Sequence, residues 1–426
     1  MNRKRSRPNW FRIALLSLLV LAGAYVDRFV IATVPPVGVP TPTVTRAPES
    51  FVTEAEELFK NGKLLDSIEA YEQAIAADPD SPGIYISLAR VQVFAGQYEA
   101  AQESAENAIL LNPDNSMAHA VLAWALDFQG NYLDAQPEIE RALQLDPNNA
   151  LAHAYYAEIL MDANLSGAGA LGSLEHAIEE SKVATGLAPD LLETRRARAY
   201  ILENTQNYEE AIREYQAAVA INPNIAELHV ALGRNYRALG IYDQAIQEFS
   251  QAISLDPDNP TPYLAISRTY ATVGEFQKAL QYAQSAVQVN PTESSLHGNL
   301  GVMYYRNLYW PEAVSELAYV VNGGFTEDGD RIDSINLLPD ARIAEYYFTY
   351  GLALARVNRC GEALQIAQMI QARVPADELA QENAFEIINR CTANLSVTPT
   401  PPQAPTEAGP VSTETSEPED MITPTP

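Results

Sequence analysis

Residues Pro223–Pro257 read PNIAELHVALGRNYRALGIYDQAIQEFSQAISLDP, opened and nearly closed by Asx-Pro pairs, with Gly240 between them. On each side of Gly240, apolar and small residues recur at three- and four-residue spacing, which is the pattern of one buried helical face. Proline restricts the residue before it to extended backbone, so Asp256-Pro257 ends a helix and opens the next segment. The stretch is therefore a pair of helices joined at a glycine turn.

The same sentence is written along most of the chain. Asp78-Pro79, Asn112-Pro113 and Asp146-Pro147 recur at one constant step; Ala188-Pro189 arrives late, and Asn222-Pro223, Asp256-Pro257 and Asn290-Pro291 resume the step. Val374-Pro375 closes the series. At one fixed offset before these prolines stand Ser67, Ala101, Ala135, Ala177, Ala211, Ala245, Ala279 and Ala363. At a second, nearer offset stand Ala74, Ala108, Ala142, Ala184, Ala218, Ala252 and Ala286. A third small column holds Ala55, Ala89, Ala123, Ala157, Ala199, Gly233, Ser267 and Gly351. Glycine marks the turn at Gly62, Gly96, Gly130, Gly240 and Gly274. No helix pair of this kind buries its face alone, so the units are expected to stack into an α-solenoid.

This pattern resembles the tetratricopeptide repeat, with Gly233, Tyr236, Ala245, Phe249, Ala252 and Pro257 matching the family signature within one unit. The resemblance extends over about Glu49–Cys391 and implies an all-α, right-handed superhelical solenoid of about nine helix pairs that binds other proteins. The expected organisation is eight repeats over 51–321, an insert over 322–342, and a last repeat with a capping helix over 343–391. Repeat four is longer than the others, with its extra residues between Leu160 and Ala177. Arg195 and Arg198 fall in columns that the family usually buries, so the first helix of repeat five is expected to be irregular.

The ends differ in composition. Residues 1–48 carry +6 and residues 396–426 carry −5, leaving −29 on the segment between them against −28 for the whole chain. Arg3, Lys4, Arg5 and Arg7 precede an apolar run from Ile13 to Val26. Basic residues before an apolar segment keep that end in the cytoplasm. Two readings stay open: a single-pass signal anchor over 1–32, or a signal peptide cleaved near Ala22-Gly23-Ala24 that releases a secreted protein. Both place the repeats outside the cytoplasm. Residues 33–50 contain five prolines and read as an extended linker. Residues 396–426, with eight prolines, seven threonines and no aromatic residue, read as a disordered tail.

Composition narrows the chemistry. Across 426 residues there are 27 Lys+Arg against 55 Asp+Glu, which argues against binding nucleic acid. Two cysteines exclude a four-cysteine zinc site. Gly167, Gly169 and Gly172 spell G-x-G-x-x-G, but Leu151–Met161 before them is helical in pattern, so they read as a lengthened turn and no cofactor is expected. His119, His153, His229 and His297 share one column in four separate repeats and read as packing or rim positions, with no metal. Glu327, Asp328, Asp330 and Asp333 lack the order of a calcium loop and read as a solvated acidic insert. No nucleophile–base–acid arrangement is evident, so no enzyme is expected. Cys360 opens the last repeat's second helix and Cys391 ends the capping helix; antiparallel helices hinging near Pro375 would bring these positions opposite, and an exported domain permits a disulfide.

The resemblance implies that each first helix lines a concave groove. In repeats one to four the first helices total −5; in repeats five to eight they total +4. The family's groove columns select Arg196, Arg234, Arg237, Arg268 and Arg306, a set suited to an acidic or C-terminal carboxylate segment of a protein partner. The opposing reading pairs these arginines with Glu193, Glu203 and Glu227. The family's carboxylate clamp is not reproduced, because other residues mostly fill its Lys and Asn columns. Phe94, Trp124 and Phe128 also fall on groove columns, as an apolar subsite or as core.

Overall fold

The structure is a computed structural model that describes residues 15, 18–21 and 46–396. Most of the anchor or signal segment, most of the proline linker and the acidic tail after Ser396 lie outside the described residues. Among those described, no helix is long and apolar enough to cross a membrane. The chain divides into two compact units at Leu174/Glu175.

The first unit holds α1 (Pro48–Lys60), α2 (Leu64–Ala77), α3 (Pro82–Phe94), α4 (Tyr98–Leu111), α5 (Ser116–Phe128), α6 (Tyr132–Leu145) and α7 (Ala150–Ser166). From α8 (Ser173–Leu187), which starts at the boundary, the second continues with α9 (Leu192–Asn204), α10 (Tyr208–Ile221), α11 (Ala226–Ala238), α12 (Tyr242–Leu255), α13 (Pro260–Thr272), α14 (Phe276–Val289), α15 (Ser294–Arg306) and α16 (Trp310–Asn322). A hairpin of β1 (Gly324–Phe325) and β2 (Arg331–Ile332) follows, then α17 (Ala341–Arg356), α18 (Cys360–Arg373) and α19 (Glu378–Ser396). Within each unit the helices pack as consecutive pairs, so the described chain is all-α apart from the hairpin.

The alanine and glycine columns are where paired helices cross. Ala55, Ala74, Ala89, Ala101 and Ala108 are fully buried. A Cβ on Gly233 would lie 2.6 Å from the Phe249 ring, and one on Gly301 would lie 2.5 Å from Leu317. The large residue of the second helix thus occupies the space that the small residue of the first leaves open.

Both punctuation marks have a physical basis. Gly240 closes its helix at φ +74, in the left-handed region. Gln206, Leu308 and Asn358 take the same place at φ 62, 67 and 61, conformations that cost a side-chain residue about 1 kcal/mol or more. At the other end, Asp78, Asn112, Asp146, Asn222, Asp256 and Asn290 all leave the helical region, which a following proline disfavours. The Asx side chains then build the turn: Asp146 accepts from the Asn148 amide at 3.0 Å and Asn222 from the Asn224 amide at 3.0 Å.

Two expectations need correction. The first helix of repeat five, α9, is regular over Leu192–Asn204. Arg195 is not misplaced in a buried column: it donates to the Pro189 carbonyl at 2.6 Å and to Glu214 at 2.6 Å. Arg198 donates to Ser181 at 3.0 Å. The insert is also more structured than a solvated loop. Thr326 and Asp330 close the hairpin by a backbone bond of 2.8 Å, while Ile332 and Leu337 are buried and Tyr347 donates to the Ile335 carbonyl at 2.8 Å. Its acids stay exposed, with Asp333 paired to Arg331 at 2.7 Å.

The extra residues of repeat four lengthen α7 to 17 residues, and Gly167 ends it at φ 78. A helix, not a strand, precedes the G-x-G-x-x-G run, so the dinucleotide arrangement is absent. In the second unit, α17, α18 and α19 share a core that contains Tyr347, Ile366, Ile387 and Cys391. Cys360 and Cys391 are joined by a disulfide with their Cα atoms 5.3 Å apart.

Candidate binding groove

The five selected arginines separate into two groups. Arg196 is buried on α9, 3.5 Å from the Glu227 carboxylate. Arg234 on α11 donates to both oxygens of Glu203, at 2.9 and 3.3 Å, and the Tyr215 hydroxyl donates to the same carboxylate at 2.9 Å. Burial works against the Arg234 charge, but the Glu203 carboxylate outweighs it and raises the pKa. Burial and the Glu203 charge push the Tyr215 hydroxyl well up. These two arginines are paired with carboxylates of the repeats themselves.

Arg237, Arg268 and Arg306 instead meet around one cavity of about 500 Å³, together with Arg342 and the carboxylate of Glu345. The helices α11, α13, α15 and α17 each contribute one of the four guanidinium groups. Arg268 donates to the Tyr346 hydroxyl at 3.3 Å, and Arg306 lies 3.8 Å from Glu345. Burial lowers the pKa of Arg237, and the charges of Arg268, Arg342 and Arg234 lower it further, with Glu203 opposing. Burial also lowers that of Arg268, which feels Tyr346 and Glu345 from one side and Arg342 from the other. Glu345 is the one acidic side chain lining the cavity, so the positive charge there is under-compensated.

The repeat register explains the division. Arg234 and Arg268 occupy the same column one repeat apart. Glu203 precedes Arg234 by the same interval at which Arg237 precedes Arg268. The same position is therefore neutralised in one repeat and faces another cation in the next. Sequence reasoning missed Arg342, Glu345 and Tyr346. Helix α17 has 16 residues where α11, α13 and α15 have 13, and Arg342 sits in its first turn, which has no counterpart in the repeat columns.

A second cavity of about 610 Å³ shares Arg306, Arg342 and Glu345 with the first and is lined further along by Phe348, Leu352 and Leu379, of which Leu379 is exposed and the other two are mostly covered. The groove thus has a cationic part and an apolar part. Its four guanidinium groups are able to donate bidentate hydrogen bonds to carboxylates, in a recess where water screens charge less than on open surface.

In the first unit, Trp124 is fully buried, stacks on Tyr155 at 4.3 Å and donates to Glu158 at 2.9 Å. Phe94 and Phe128 flank it at 5.3 and 5.7 Å and stay half-buried. Trp124 belongs to the core, so of this set only Phe94 and Phe128 offer surface.

The histidine column serves the repeat itself. His119, His229 and His297 place one ring nitrogen 2.6–2.7 Å from Glu138, Glu248 and Glu316, and the other 2.9 Å from the carbonyls of Pro113, Pro223 and Pro291. His153 lies 3.0 Å from the Pro147 carbonyl. For His229 and His297 both partners are acceptors, an arrangement that favours the doubly protonated ring. Burial opposes the charge on His229 and His297, yet the hydrogen bonds that the rings donate to Glu and carbonyl outweigh it and raise both pKa values. Among the described residues, no group of three or more His, Cys, Asp or Glu side chains is placed to hold a metal ion.

Models of the tetratricopeptide repeat match residues 58–125, 121–182, 193–225 and 233–274. No curated protein matches the sequence. Several solved structures are similar. The chain matches the crystal structure of the APC/C hetero-tetramer Cut9–Hcn1 at 15% identity and a TM-score of 0.45, covering 59% of this chain and 55% of that one. It therefore spans about half the length of that neighbour. A tetratricopeptide repeat protein from Parabacteroides merdae matches at 14% identity over 64% of this chain and 99% of its own, with a TM-score of 0.44. PilW, described as a widely conserved type IV pilus biogenesis factor, matches at 20% identity over 48% of this chain and 91% of its own, with a TM-score of 0.43.

Proposed function

We propose that this chain, which is a tetratricopeptide-repeat protein, is a non-catalytic scaffold that captures an acidic, carboxylate-rich segment of a protein partner in the α11–α17 groove. Repeats of this family generally mediate protein–protein interaction. The observation that carries the finer reading is the cavity where Arg237, Arg268, Arg306 and Arg342 meet a single carboxylate. A partner's acids would restore the missing negative charge, and each charge-assisted contact contributes about 1.5–3 kcal/mol.

The test uses the full chain, a fluorescein-labelled polyglutamate peptide and a polylysine control, read by anisotropy. The variant Arg237→Glu/Arg268→Glu/Arg342→Glu is expected to lose more than a hundredfold in affinity for the acidic peptide. Equal affinity of variant and parent overturns the groove reading. Arg234 is left intact in this variant because its loss would disturb the Glu203–Tyr215 network.

The basic N-terminus followed by an apolar run, together with the Cys360–Cys391 disulfide, supports an extracytoplasmic scaffold held at a bacterial cell envelope by an N-terminal anchor. The small-residue site at Ala22-Gly23-Ala24 favours a second reading, a secreted or wall-associated carbohydrate- or peptide-binding module released by signal cleavage; a third is an accessory subunit that positions an envelope enzyme. N-terminal sequencing of the mature protein separates the first two, since an intact arginine-rich start is incompatible with cleavage.

A further inference from the structure

The groove combines two chemistries in a fixed order. Arg237, Arg268 and Arg342 make its cationic part, and Phe348, Leu352 and Leu379 its adjoining apolar part. An occupant that fits both needs several acids directly followed by a large apolar residue. This chain carries such a segment. Residues 414–422 read ETSEPEDMI, with Glu414, Glu417, Glu419 and Asp420 running into Met421-Ile422. No Lys or Arg occurs anywhere in residues 396–426 to offset these acids.

We propose that the segment Glu414–Ile422 of this chain is the resident occupant of its own groove, its acids against the arginines and Met421-Ile422 against Leu352 and Leu379. A partner's acidic segment must then displace it, so the tail sets the threshold for binding. The proposal rests on the groove reading above.

The chain is long enough. Asn383, which lines the apolar part, and Ser396, the last residue of α19, lie on one helix. They are about 20 Å apart at roughly 1.5 Å per residue. The roughly twenty residues from Ser396 to the acids, proline-rich in composition, reach about 55–60 Å when extended. A tether of this kind presents its end at an effective concentration on the order of millimolar. Even a weak intrachain contact would therefore keep the groove mostly filled and reduce the apparent affinity for an outside ligand in proportion.

Two measurements on the full chain test this. First, the labelled polyglutamate peptide is titrated against the parent and against Glu414→Gln/Glu417→Gln/Glu419→Gln/Asp420→Asn, whose changes lie outside the folded repeats. The variant is expected to bind about tenfold more tightly. Equal and measurable affinity overturns the tail proposal and leaves the groove reading intact; binding by neither protein overturns both. Second, p-benzoylphenylalanine at position 421 is photo-activated in a mixture of light and isotopically heavy chains. Light-to-light cross-links to the 348–352 or 379–383 region, lost in Arg237→Glu/Arg268→Glu/Arg342→Glu, support the proposal. Light-to-heavy links overturn it in favour of a second copy as occupant, and links elsewhere overturn it outright.

Discussion

Arg234 and Arg268 are the same residue in the same column of adjacent repeats, with opposite surroundings. Arg234 is held by Glu203, which also takes the Tyr215 hydroxyl. Arg268 has a tyrosine hydroxyl on one side and the charges of Arg237 and Arg342 nearby. The first arrangement uses its charge for stability. The second leaves positive charge under-compensated, with Glu345 the one carboxylate lining the cavity. One acid-to-base difference, Glu203 in one repeat and Arg237 in the next, separates an arginine paired with a carboxylate from one that the groove proposal assigns to a ligand.

The comparison can be broken most forcefully through the support behind the second arrangement. Helix α17, which carries Arg342 and Glu345, packs against α18 and α19, and the disulfide between Cys360 and Cys391 ties those two together. Replacing both cysteines by alanine is expected to cost about 3–4 kcal/mol for a loop of this length. The measurement is a urea midpoint, with loss of peptide binding ahead of global unfolding. A binding curve that survives until global unfolding would show that the groove does not depend on the C-terminal helices.

The pair itself comes next. Arg234→Met leaves Glu203 and Tyr215 without their cation and is expected to destabilise by about 1–3 kcal/mol. Arg268→Met removes a repelled charge and is expected to leave the melting temperature unchanged or raise it, while acidic-peptide affinity falls about tenfold or more. Equal destabilisation by the two substitutions would contradict the contrast.

The smallest effect concerns charges that are present only at lower pH. His229 and His297 have folded pKa values above the unfolded value of about 6.5. Their contribution is therefore complete below about pH 6.5 and is lost as pH rises through the folded pKa. The stability gap between the parent and His229→Gln/His297→Gln should narrow between pH 6 and pH 8.5 in urea titrations. A gap constant across that range would mean that the rings act as neutral hydrogen-bond partners.

Much of the fold was legible because repetition amplifies weak signals. A single Asx-Pro or buried alanine says little, but the same residue at fixed intervals places every crossing and turn. Arg237, Arg268 and Arg306 could be selected for the same reason. What escaped lay off the period. Arg342 sits in the additional first turn of α17, and the insert's hairpin is held by Ile332 and Leu337, whose burial no column foretells. Arg195 was misjudged because its column is one the family usually buries, whereas its reach lets it make the same two contacts as the histidines that stand there in other repeats. Trp124 illustrates the opposite difficulty: an aromatic on a groove column reads equally as a subsite or as core until its complete burial is known.

The side chains of His119, Arg195, His229 and His297 each connect three parts of one repeat: the carbonyl at its opening proline, the first helix and a glutamate on the second. Such a repeat is riveted within itself, so its helices are less free to part than two neighbouring units are. Fraying, helix exchange between copies, and the gain or loss of units by recombination should then proceed from proline to proline. The step from one Asx-Pro to the next thus marks the natural module for shortening or extending this protein without exposing half of a pair.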